Sequence, residues 1–221
     1  MIRANIDVDR VLSADALLPV VFVRIDERGR GAMPATLDLT ELRKVSPLFA
    51  VRREAASVHD RDDAYRIFDT IIADETLRRR VDVSRLVAAE WRRRLAARLE
   101  QSHSCRVVTE ALSMCGHRLD PPSTVGELAN AAGVSREHFT RTLRANGKRS
   151  AFCAKRLVDA FVVLQILVMG AMGVSNRRAA LESRIPYRSF LRARQRLEEF
   201  IPGSTANFRS LFVHVDVHLS V

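Results

Sequence analysis

Lysine is nearly missing from this chain. Only Lys44, Lys148 and Lys155 stand among its 36 basic residues, so arginine carries the positive charge. A guanidinium presents a planar fork of donors that can grip an oxyanion with two bonds at once, which an ammonium cannot. Cysteine is equally sparse. Cys105, Cys115 and Cys153 are odd in number and form no C-x-x-C pair, which excludes a disulfide framework and suits free thiols in a reducing cytoplasm. His103, Cys105, Cys115 and His117 match no common zinc spacing, so ordinary buried thiols are expected and no metal. Long apolar runs are also absent. The longest, Ala160 to Val174, is interrupted by Gln165, Gly170 and Gly173 and falls short of the roughly 20 residues a bilayer requires. The opening MIRANIDVDR has no apolar stretch followed by small residues, so no secretory leader is expected and the localisation is read as cytoplasmic. Finally, there is no Gly-rich phosphate loop, no nucleophile elbow and no clustered acid–base set. His59, Asp60, Asp62 and Asp63 are explained more simply as the start of a helix, where carboxylates meet the positive end of the dipole. No enzyme and no cofactor are expected.

What remains is a chain of 221 residues, 47% apolar, long enough for one or two domains with real cores. Its charge is lopsided. Residues 1–100 carry 19 basic and 17 acidic residues, whereas residues 101–221 carry 17 basic and only 9 acidic. A basic half attracts polyanions, and counterion release makes such binding fall with salt. No polybasic amphipathic helix favours a membrane surface as the partner.

The basic half contains the most informative stretch, Thr124 to Gly147, TVGELANAAGVSREHFTRTLRANG. Glu127, Leu128, Ala129 and Ala132 build a short first helix with its apolar residues on one side. Gly133 supplies a turn in which left-handed backbone costs little, and Ser135 is a good N-cap for a second helix. Val134, Phe139 and Leu143 form that helix's buried side. Arg136, Glu137, Thr140, Arg141 and Arg144 are left on its other faces. This is a helix-turn-helix pattern, and a helix with such side chains fits a DNA major groove.

Elsewhere the organisation changes along the chain. Leu17 to Val23 is a short β-branched run that reads as a buried parallel strand. A loop is expected over Asp26 to Gly31, a short helix over Leu37 to Val45, and a second strand over Leu48 to Val51. The spacing of Ala64, Ile67, Phe68 and Ile71 predicts a helix from His59 to Ile72. From Val83 the pattern is helical throughout. Leu86, Val87, Trp91, Leu95 and Leu99 mark one face of a helix, and Arg92, Arg93, Arg94 and Arg98 read as its solvated face. A further helix runs from Val107 to Cys115, ended by Gly116. After the helix-turn-helix comes a helix from Ser150 to Met169, with Phe161, Leu164, Leu167 and Val168 in its buried part. A second hairpin follows. Its first helix is Arg178 to Leu181, Pro186 opens the next, and that helix runs from Tyr187 to about Glu199. It buries Phe190, Leu191 and Leu197 and leaves Arg188, Ser189, Arg192 and Arg196 exposed. The end of the chain alternates Phe212, Val213, Val215 and Val217 with His and Asp, which fits a strand or an unstructured end.

Two helix-turn-helix units joined by one long helix resemble the DNA-binding domain of AraC/XylS-type transcription regulators, over about Ser123 to Arg209. The first unit fits at Leu128-Ala129, Gly133, Ser135, Phe139, Arg141, Leu143 and Gly147. The linker fits at Arg156-Leu157, Ala160 and Val163-Leu164, and the second unit at Ala180, Phe190, Arg192 and Ala193. The second unit departs where Ser183-Arg184 stands for the usual Gly-Phe and Arg194 for the usual Phe. The expected fold is mainly α, with an all-α double helix-turn-helix domain at 121–210 and connecting helices at 81–120. A small α/β segment occupies 1–80 and a tail 211–221. The first 75 or so residues resemble the later part of a response-regulator receiver domain. They lack an acidic phosphoacceptor after a preceding strand, which implies a docking or dimerisation module. The resemblance implies a sequence-specific transcription regulator whose partner is double-stranded DNA. It admits RNA polymerase and a homodimer through the N-terminal segment as further partners. The implied DNA-binding residues are Ser135, Arg136, Glu137, Thr140, Arg141 and Arg144 in the first unit and Tyr187, Arg188, Ser189 and Arg192 in the second. The alternative reading is a helical protein-interaction or scaffold module.

Overall fold

A computed structural model of the chain describes residues 20–24, 39–52, 68–102, 105–146 and 154–219. The chain divides into two compact units, residues 1–83 and 84–221. The described residues are mainly helical, with one small parallel sheet near the N-terminus.

The first unit is α/β. Strand β1 (Val21–Arg24) leads through helix α1 (Leu39–Val45) into β2 (Leu48–Arg52), and β3 (Thr70–Ala73) is followed by the short helix α2 (Asp74–Arg78). The sheet is parallel in the order β1-β2-β3, with Val21 opposite Leu48 and Phe49 opposite Thr70. Val21, Val23, Leu42, Leu48 and Ala50 form its core. Asp69 fastens the layer. Its carboxylate accepts the Leu48 N–H at 2.9 Å and the Arg43 Nε at 3.2 Å, tying α1 and β2 to the start of β3. The helix expected to reach Ile72 is corrected here, since Ile71 and Ile72 lie in β3. They alternate across the sheet, Ile72 buried and Ile71 exposed, and pairing with β2 satisfies their backbone where a helix would leave the edge of β2 open. Phe68 and Asp69 precede β3 without helix and Thr70 belongs to it, whereas residues 59–67 of that expected helix, with the Asp60, Asp62 and Asp63 cluster, and the 26–31 loop lie outside the described residues.

The second unit is entirely helical among its described residues. Helix α3 (Arg80–Ser102) starts just before the unit boundary and is followed by α4 (Arg106–His117). Gly116 continues α4 and does not end it. A Cβ there would come within 3.2 Å of the Arg93 Cα, so the missing side chain lets α3 and α4 approach closely. Two helical hairpins follow, α5 (Val125–Ala131) with α6 (Arg136–Asn146) and α8 (Asn176–Glu182) with α9 (Tyr187–Phe200). Between them runs α7 (Ala154–Ala171), and the last helix is α10 (Phe208–Leu219). α7 is the hub, packing against α5, α6, α8, α9 and α10. It is buried on nearly all sides, Phe161, Leu164 and Val168 fully and Leu167 only in part. Its first residues as read from the sequence, 150–153, lie outside the described residues.

Polar side chains sit inside this apolar helix because each has a partner. The Asp159 carboxylate, 1% exposed, accepts both Arg196 Nε at 2.7 Å and Arg196 Nη2 at 2.8 Å, and Lys155 stands 3.0 Å away. Gln165 accepts from the Arg92 guanidinium and donates to the Ser183 Oγ at 3.2 Å. Arg92 also donates to the carbonyls of Arg118 and Leu119. Two expectations are corrected by these contacts. Arg92 is fully buried, and burial, with the neighbouring Arg85, pushes its guanidinium down to about 10 against the opposing Asp120 carboxylate. Arg196 is part-buried in an ion pair that locks α9 to α7. Arg93 and Arg94 lie on Glu90, and Arg98 stands over the Phe212 ring.

The C-terminal end is a helix, where a strand or an unstructured end was expected. Phe208, Leu211, Phe212 and Val215 follow helical spacing and are all buried, and Phe208 and Phe212 bracket Trp91 at ring-centroid distances of 5.4 and 5.1 Å. No helix among the described residues is long and apolar enough to cross a membrane.

Candidate nucleic-acid interface

The first hairpin is built by its caps and its turn. Thr124 caps α5, its Oγ1 accepting the Glu127 N–H at 3.1 Å, while the Glu127 carboxylate reaches back to the Ser123 N–H at 2.8 Å. The pair satisfies donors that a helix start leaves open. The helix ends at Ala132, and Gly133 turns the chain at φ 65°. The Val134 N–H returns to the Ala129 carbonyl, and Ser135 caps α6 by accepting the His138 N–H at 3.2 Å. Leu128, Ala129, Phe139 and Leu143 are buried and Val134 is half-buried. That burial fixes which face of α6 turns outward.

The outward face carries the residues expected from the sequence. Arg136, Glu137, Arg141 and Arg144 are exposed and Thr140 is half-buried, and together they line one shallow depression. Ser135 stands apart from this group, because its hydroxyl is engaged in the helix cap. Among the described residues, no acceptor meets the guanidinium groups of Arg136, Arg141 or Arg144. This separates them from the arginines that hold the fold, such as Arg85 on Asp120 at 2.7 Å and Arg196 on Asp159. Free guanidinium groups on one helix face are poised to grip an external anion or a base edge.

The second hairpin repeats the first at a constant offset of 51 residues. Ser175 takes the place of Thr124 and caps α8 by accepting the Arg178 N–H at 3.3 Å. Ser183 ends α8 at φ −88° and ψ 8°, as Ala132 ends α5 at φ −92° and ψ 9°. The Ile185 N–H returns to the Ala180 carbonyl as Val134 returns to Ala129. Arg184 sits where Gly133 sits and adopts the same left-handed backbone, φ 55°. Pro186 stands at the N-cap of α9 and contributes no side-chain bond. Tyr187, Arg188, Ser189 and Arg192 are all exposed on α9, Tyr187 with its ring 5.8 Å from that of the buried Phe190. The sequence expectation fails at Leu191, which is 44% exposed where burial was expected. Ala193 fills the core in its place, beside Phe190 and Leu197.

Below the second hairpin, Glu198 organises the turn into α10. The Thr205 hydroxyl, followed by the N–H groups of Gly203 and Thr205, holds its carboxyl below the usual carboxylate range. The sequence reading missed the pairs Asp159–Arg196 and Gln165–Arg92, which position α9 and α7. Its available signal was a lone acid and a lone amide inside an apolar helix, which demand partners. Elsewhere, burial raises the Cys115 thiol to about 12, leaving it a packing residue. Among the described residues no three His, Cys, Asp or Glu side chains come together as a metal site.

Comparison with known protein families, with curated proteins and with solved structures finds no match for this chain.

Proposed function

We propose that the basic half of this chain is a sequence-selective binder of duplex DNA and that the protein is a transcription regulator of the AraC/XylS type. The observation that carries the reading is the repeated hairpin. Each copy ends in a helix whose outward face bears arginines that meet no acceptor among the described residues, Arg136, Arg141 and Arg144 in one and Arg188 and Arg192 in the other. In this reading α6 and α9 are the two recognition helices and α7 is the stiff spacer between them. At 18 residues, α7 is about 27 Å long at 1.5 Å per residue, comparable with the roughly 34 Å between successive major-groove faces on one side of DNA. Arg136 and Arg144 read base edges with Thr140, while Arg141 holds the backbone. The reading assigns no catalysis to the chain. It leaves RNA polymerase and a second copy of the chain as partners for surfaces outside these two helices.

The test is a mobility shift of the full chain on random duplex DNA at two salt concentrations. Binding is expected at low salt and should fall steeply, log K dropping against log salt with a slope of about −0.9 per phosphate neutralised. A variant with Arg136, Arg141 and Arg144 changed to Ala should lose most of that affinity with its helical content unchanged. No binding by the parent protein at low salt would refute the reading and leave the helical interaction module in its place.

A further inference from the structure

The two hairpins share a backbone and differ in what they present. At the 51-residue offset, Thr140 of α6 corresponds to Leu191 of α9, and the surrounding positions Glu137 and Arg141 correspond to Arg188 and Arg192. Leu191 is 44% exposed and contributes little to the core, which Phe190, Ala193 and Leu197 fill. It is therefore an apolar side chain at the position where the first hairpin carries a hydroxyl, flanked by two exposed guanidinium groups that meet no acceptor among the described residues. Further along the same helix Glu198 and Glu199 are acidic. A polyanion approaching α9 meets the exposed Arg188 and Arg192 in its first two turns, where Leu191 lies, whereas Glu198 is engaged by the turn after the helix.

Resting on the DNA-binding reading above, we infer that Leu191 is a specificity-determining residue that packs on the C5-methyl group of a thymine. Thymine alone among the four bases places a methyl group in the major groove. Leucine has no donor or acceptor, so it cannot read any base by hydrogen bonding, and a methyl is the one base feature it recognises favourably. Arg188 and Arg192 hold the phosphates on either side. The second hairpin thus selects by apolar contact, and the first by hydrogen bonds from Arg136, Arg144 and Thr140.

The experiment uses the full chain. Bound duplexes are selected from a random pool, and each thymine of the selected site is replaced in turn by deoxyuridine, which differs only in lacking the methyl. Titrations are run with the parent protein, Leu191→Ala and Leu191→Met. One thymine is expected whose replacement weakens the parent about fourfold, the factor corresponding to about 0.8 kcal/mol for one buried methylene-sized group. The same replacement should leave Leu191→Ala unaffected, and Leu191→Met should behave as the parent. Leu191 is exposed, so these variants should fold as the parent does. A bound site in which no thymine shows a Leu191-dependent effect overturns this inference and leaves DNA binding standing. Failure to recover any bound duplex overturns the DNA-binding reading and this inference with it.

Discussion

Arg184 stands in left-handed backbone at φ 55°, a conformation that costs an L-residue about 1–2 kcal/mol and a glycine almost nothing. Its counterpart Gly133 occupies the same conformation at φ 65°, and a Cβ built there would meet nothing within 4 Å. Backbone strain alone therefore separates the two sites, and opposite substitutions should have opposite signs. Arg184→Gly should stabilise the protein by about 0.5–1 kcal/mol, since part of the relief is offset by the greater freedom of glycine in the unfolded chain. Gly133→Ala should destabilise it by about 1 kcal/mol. Thermal or denaturant unfolding of the two variants checks the signs, and a loss on Arg184→Gly would mean that the guanidinium supports the fold. On the binding side, Arg136→Ala should weaken DNA binding by about 1–3 kcal/mol and relax selection at one base pair. Selection of bound sequences with the variant measures this, and an equal loss on all sequences would make Arg136 a phosphate contact. These residue roles were unevenly legible in the sequence. Gly133 and Ser135 announce the first turn through their own chemistry. The second turn is built by the same backbone with Arg184 and Pro186, residues that advertise neither a left-handed turn nor a side-chain cap.

Among the elements, α7 shows how far an apolar run can be read. Ala160 to Val174 identified a buried helix, and its burial on nearly all sides follows from that composition. What the run could not reveal was which distant side chains satisfy Asp159 and Gln165, because those partners come from α9, α3 and the turn after α8. The same blindness affected the Arg92-Arg93-Arg94 triplet. Consecutive arginines point in directions about 100° apart on a helix, so at most part of the triplet shares one environment, and only tertiary packing decides which member turns inward. Arg92→Met should destabilise the protein by about 1–3 kcal/mol. It leaves the carbonyls of Arg118 and Leu119 and the Gln165 amide oxygen without their buried donor. Arg93→Ala should cost less than about 1 kcal/mol, because Glu90 keeps Arg94 and the Arg93–Glu90 pair is partly open to solvent. Urea unfolding distinguishes the two, and equal losses would count against the buried network. Leu164→Ala should cost about 2–5 kcal/mol by leaving a cavity, and more than Leu167→Ala, whose side chain is only half-buried. The fate of α10 carries a related lesson. Its valines alternate like a strand, but Phe208, Leu211, Phe212 and Val215 also recur at helical spacing, and burial against Trp91 and α7 decided in favour of that pattern.

At the scale of the whole molecule, the repeat turns a fold observation into a statement about DNA. Two hairpins with the same turn and the same outward helix both pack on one buried helix, and Asp159–Arg196 and Gln165–Ser183 fasten the second of them to it. If both face DNA, they should occupy successive turns of the duplex on one side, about 34 Å apart. Footprinting of the full chain on a selected site should then show two protected patches about one helical turn apart. Arg188→Ala with Arg192→Ala should remove the second patch and lower the magnitude of the salt slope by about 2, one for each phosphate left without its arginine. The base preference in the first patch should not change, because Arg136, Thr140 and Arg144 are untouched. A change in the first patch would instead mean that the hairpins bind as a coupled pair whose register depends on both. Protection of a single patch, with the double variant silent, would mean that α9 does not touch DNA. In that case its exposed Tyr187, Leu191 and Arg192 would belong to a protein contact, and only the first hairpin would carry the reading proposed above.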